Sequence, residues 1–114
     1  MRLLLTDLEQ LGESALAEFN QRVTQLDRGP ELTRQIERLE AKLEQLYAVA
    51  VTLTRHEERL DDVEAIWARM VAICDTFARA VSDLCQRHST SSPASYDRIL
   101  DIRKECEENR ALHA

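Results

Sequence analysis

Hydrophobic residues recur every three or four positions along almost the whole chain, the spacing of amphipathic helices rather than the alternation of strands. Leu4, Leu8, Leu11, Ala15, Phe19 and Leu26 fall on one stripe, with Leu16 and Val23 beside it. They predict a first helix over about residues 3–27, with Thr6 and Glu9 spaced as a capping box. Gly12 sits inside that stripe, where a missing side chain suits close helix packing. Asp27-Arg28-Gly29-Pro30 then punctuates the chain: Gly29 can end one helix in the left-handed conformation and Pro30 can open the next. So short a connection predicts antiparallel neighbours.

Between Pro30 and Pro93 there is no glycine and no proline. Ile36, Leu39, Leu43, Leu46, Ala50, Leu53 and Leu60 keep a heptad-like seam, which slips near Glu57. A new register starts at Val63 and continues through Ile66, Met70, Ile73, Phe77, Val81 and Leu84, widened by Trp67, Val71, Cys74 and Cys85. The pattern predicts one very long central helix over about 30–88, roughly 87 Å at 1.5 Å per residue. The alternative is a break near 54–57, with Thr54 and Glu57 as a second capping box, which gives a compact four-helix bundle. Ser92-Pro93 opens a last helix over about 93–110, with Tyr96, Ile99, Ile102 and Cys106 as its stripe and Leu100 at the edge. The expected fold is thus all-α, an antiparallel hairpin or bundle forming one helical domain over 1–114.

Charge narrows the partners. Fifteen Lys and Arg against 21 Asp and Glu leave a net charge of −6, which disfavours nucleic acid and anionic membrane surfaces. No stretch approaches the roughly 20 apolar residues of a membrane span, and Leu3-Leu4-Leu5 is short for a signal-peptide core. Three cysteines, an odd number, read as reduced thiols, and a cytoplasmic location is expected. Along the first seam the charges segregate. Arg34, Arg38 and Lys42 line one flank and Glu37, Glu40 and Glu44 the other, a device that can select partner and orientation.

Motifs for chemistry are sparse. None of the three histidines has the Glu-x-x-His spacing of a di-iron bundle, and His56-Glu57 lacks the second histidine of a zinc protease. Cys85-x-x-His88 puts two metal-ligand types at helical spacing, and a two-fold dimer would be needed to make four ligands. Glu57, Glu58, Asp61 and Asp62 form the densest acidic group. Glu58-x-x-Asp61 weakly resembles the first half of the magnesium site in all-α nucleotide pyrophosphohydrolases, whose second half, a later Glu-x-x-Asp, is missing here.

The leading expectation is therefore a non-enzymatic scaffold that uses no cofactor and no metal. It would form a homodimer or higher oligomer, or bind a helical partner, through the seam Ile36, Leu39, Leu43, Leu46, Leu53, Leu60, Val63, Ile66, Trp67, Met70, Ile73, Phe77, Val81 and Leu84. A small acidic secretion or assembly chaperone is the alternative, and a magnesium-dependent enzyme built on the acidic group a remote one.

Overall fold

A computed structural model describes residues 5–25, 29–56 and 59–112, the side chain of Leu60 excepted. Four α-helices occupy them: α1 (Leu5–Val23), α2 (Gly29–Arg55), α3 (Leu60–Arg87) and α4 (Ala94–Leu112). The all-α bundle forms, and the single helix expected over 30–88 does not. The Tyr47 and Trp67 ring centroids lie 5.5 Å apart. Twenty residues along one helix would separate them by roughly 30 Å. The chain therefore folds back between Arg55 and Leu60, with Arg59 in extended backbone (φ −92°, ψ 119°) and its carbonyl accepting from the Asp62 and Val63 amides.

The physical reason lies in the register slip. On one straight helix the two stripes would point in different directions, and neither could bury itself in a single chain. Folding back turns them onto each other. The last turns of α2 also favour an end. Val49, Val51, Thr52 and Thr54 are β-branched and among the poorer helix formers. The Thr52 and Thr54 hydroxyls donate to the carbonyls of Ala48 and Val51 at 3.1 and 2.9 Å. Thr54 thus closes α2 and does not cap α3, and its supposed partner Glu57 lies outside the described residues.

α2 and α3 run antiparallel and form the middle of the molecule. α1 packs on one side of this pair and α4 on the other, and no contact joins α1 to α4 among the described residues. The Cα envelope is correspondingly flat, 47 × 28 × 15 Å. Arg38–Glu18 (3.3 Å) and Arg69–Glu9 (2.9 Å) tie α1 to α2 and α3. Arg98–Glu40 (3.6 Å), Arg110–Glu64 (2.7 Å) and Arg103–Asp75 tie α4 to the same two helices. The level of these pairs fixes an up-down-up-down course.

On α1 the buried set is Leu8, Gly12, Phe19 and Val23. Leu11 lies about 90° from its centre at 100° per residue and is 46% exposed, so the stripe is rotated from the one expected. Leu4 and Leu26 fall outside the described residues. Thr6 stands within α1, not ahead of it, and Gly29 is the first residue of α2. A Cβ on Gly12 would meet Ile73 Cδ1 at 3.2 Å, which is the close packing expected there. α3 closes through a Schellman arrangement. The Thr90 amide donates to the Cys85 carbonyl and the Ser89 amide to that of Gln86, with Ser89 at φ 51°.

Candidate interaction surfaces

The expected seam is present, but it faces inward. Ile36, Leu39, Leu43, Leu46, Val63, Ile66, Trp67, Met70, Ile73, Phe77, Val81 and Leu84 are all buried in one core cluster, and Leu53 packs against it half-buried. A partner helix cannot reach these side chains while the bundle is closed. Self-association through this seam would require the bundle to open.

Candidate chemical groups are dispersed. Asp61 and Asp62 are exposed in the first turn of α3, where their charge favours the helix N-terminus. Glu57 and Glu58 lie outside the described residues. Cys85 is buried while His88, the C-cap of α3, is exposed, so the two do not converge on one site. Among the described residues no three His, Cys, Asp or Glu side chains are placed to hold a metal ion. No helix among them is long and apolar enough to cross a membrane.

Two features were not anticipated from sequence. Cys74 and Cys106, both fully buried, meet between α3 and α4, and their hydrogen bond, then burial, pushes the Cys74 thiol well above the usual thiol range. Such a thiol is a core group with little thiolate character. Glu40 is only 6% exposed, and its Oε1 accepts no hydrogen bond. Burial first, then the hydrogen bond and charge of Glu44, raise its carboxyl above the usual range, while Arg98 pulls the other way and Glu37 adds to the rise. Nearby on α4, the buried Ser95 hydroxyl also lacks a partner.

Two grooves with apolar lining flank α1. Between α1 and α3 a groove of about 150 Å³ has Leu16, Ile73 and Phe77 in its floor and Glu9, Glu13 and Arg69 at its rim. Between α1 and α2 a groove of about 200 Å³ is lined by Leu11, Ala15, Leu46 and Val49, with Ser14, Gln45, Glu18 and Lys42 around them. The second groove continues toward the other end of α1 between Arg22, Arg38 and Lys42, with Glu18 the acid among them. The rotation of α1 that leaves Leu11 outside creates this apolar end. Arg38 and Lys42 of the basic flank of α2 noted in the sequence stand in its wall. Sequence could have exposed the groove through the mismatch between Leu11 and the set Leu8, Gly12, Phe19 and Val23. No family model, no curated protein and no solved structure matches the chain.

Proposed function

We propose that the protein is a non-enzymatic helical interaction protein that presents an assembled bundle surface to other helices, copies of itself included. The observation that carries this reading is the α1/α2 groove. It combines apolar side chains open to solvent with a charged wall, the combination that receives one face of an amphipathic helix. Association would run through this outer groove, since the inner seam is already occupied by the chain's own helices.

A photoreactive residue at the exposed position Gln45, introduced in cells, should give a discrete cross-linked product. That product should be lost in a Leu11→Asp background, and the same probe at exposed Arg79 on α3 should not yield it. Absence of any product specific to position 45 would sink the reading. A second reading, a chaperone that holds amphipathic segments of a client, draws on the 79% exposure of Leu112 at the end of α4. It requires that the cross-linked partner be an unassembled protein, where the scaffold reading requires an assembled one.

A further inference from the structure

Three large hydrophobic residues are exposed among those described: Leu11, Leu100 and Leu112. Leu11 belongs to the α1/α2 groove, and the other two stand on α4, on the far side of the α2/α3 layer. The surface charges around them are opposite. The groove wall carries Arg22, Arg38 and Lys42 against Glu18, a basic strip on a chain of net charge −6. The outer face of α4 carries Asp97, Asp101, Glu105 and Glu108 at i, i+4, i+8 and i+11, all exposed and none in an ion pair among the described residues. Lys104 borders that stripe beside Asp97 and lowers its charge without cancelling it. At 100° per residue Leu112 falls within the arc of the stripe, one turn beyond Glu108, and Leu100 lies about 60° outside its edge.

We infer that the groove's occupant is the outer face of α4 from a second copy of this chain. Its acidic stripe would lie along the Arg38–Lys42 wall, with Leu112, beyond the last acid of the stripe, at the apolar end. The inference rests on the interaction-protein reading above and names its partner. Because donor and acceptor surfaces differ and lie on opposite sides of the bundle, the contact is heterologous, and an open assembly of any size keeps one free surface of each kind at its ends. Assembly therefore does not stop at a dimer. Elsewhere the surfaces share a negative excess, so the oppositely charged pair also sets the direction of approach.

The test is mass by light scattering and sedimentation from 10 µM to 1 mM, in 50 and 500 mM sodium chloride. The wild-type chain should exceed twice its 13.1 kDa at the highest concentration in low salt and fall back in high salt. Arg38→Glu with Lys42→Glu, or Asp101→Lys with Glu105→Lys, should each weaken association at least tenfold. All four changes in one chain should restore it. Far-UV circular dichroism checks folding, and Lys42→Glu alone should weaken association several-fold if Arg38 proves needed for the fold. A monomer at 1 mM in low salt, a plateau at twice the chain mass, or failure of the four-fold variant to recover would each overturn the inference. If the chain is monomeric but the Gln45 probe still captures another protein, this inference alone falls. If the probe also gives nothing, the interaction reading falls with it.

Discussion

Replacing Glu40 with methionine should stabilise the protein. The carboxylate is 6% exposed, has an oxygen with no hydrogen bond, and faces an arginine that is itself 57% exposed. Leaving a buried polar group unsatisfied costs about 1–3 kcal/mol. The pair with Arg98, at 3.6 Å and largely in solvent, is worth about 0–1 kcal/mol. Methionine matches the length of glutamate and its helix propensity, so neither packing volume nor backbone preference opposes the change. The balance is a gain of about 1–2 kcal/mol at pH 7, read as the shift in urea midpoint at unchanged m. Acidity supplies the sharper check. Glu40's folded pKa is raised above its usual value near 4.5, so the folded state binds the proton more tightly than the unfolded one. Its contribution is then fully present below the unfolded pKa and is lost as pH rises through the folded one. The advantage of Glu40→Met over wild type should accordingly be smallest below about pH 4.5 and grow toward pH 7. Groups remote from Glu40 contribute alike to both proteins and cancel in the difference. A loss of more than about 1 kcal/mol at pH 7, or a gap independent of pH, would refute the reasoning.

Ser95→Ala should add about 1 kcal/mol in the same urea assay, because it removes a buried hydroxyl that has no partner. Ser89→Gly should raise the melting temperature by a few degrees, since a non-glycine residue in the left-handed region costs about 1 kcal/mol. No change in melting would mean that Ser89 is not strained. Cys74, Cys85 and Cys106 are all buried, so a thiol reagent should label native protein only as fast as it opens, and all three within seconds in guanidinium. Immediate labelling of one native thiol would contradict the packing described.

Helix content, the end of α3 and the start of α4 were legible from spacing and from the single Ser-rich connector. The reversal between α2 and α3 was legible only in part. Its signal was the change of stripe near Glu57 together with the β-branched run Val49–Thr54, and no glycine or proline marked it. Breakers are sufficient to end a helix and not necessary, because tertiary burial of two mismatched stripes supplies the driving force. The seam residues were read correctly as apolar contact positions, yet a periodicity cannot say whether the facing helix belongs to the same chain. Glu40 escaped because a glutamate on a seam flank looks solvated until a neighbouring helix covers it. The grooves escaped because they depend on the rotation of α1 about its axis, which turns Leu11 out of the buried set.

The segregated charges on α2 find a physical role in this arrangement. Both α1 and α4 lie in a groove of the α2/α3 layer, and apolar stripes alone would let them exchange places. The ion pairs described between helices, Arg38–Glu18, Arg69–Glu9, Arg98–Glu40, Arg103–Asp75 and Arg110–Glu64, follow one rule. α1 contributes the acid each time, Glu18 to Arg38 and Glu9 to Arg69. α4 contributes the base each time, Arg98 to Glu40, Arg103 to Asp75 and Arg110 to Glu64. Exchanging the two outer helices would set acid against acid on one side and base against base on the other. Each such exposed pair is worth only about 0.2–1 kcal/mol, too little to matter for stability one at a time. Acting together against a like-charged alternative they reach a few kcal/mol, and 1.4 kcal/mol is already a tenfold preference. The buried glutamate fits the same logic: Glu40 weakens the fold, but it puts a carboxylate where only an α4-type helix, with its arginine, can lie beside it. Topological choice is therefore carried by flank charges and overall stability by the inner seam, so Glu40→Met should gain stability while giving up part of that choice.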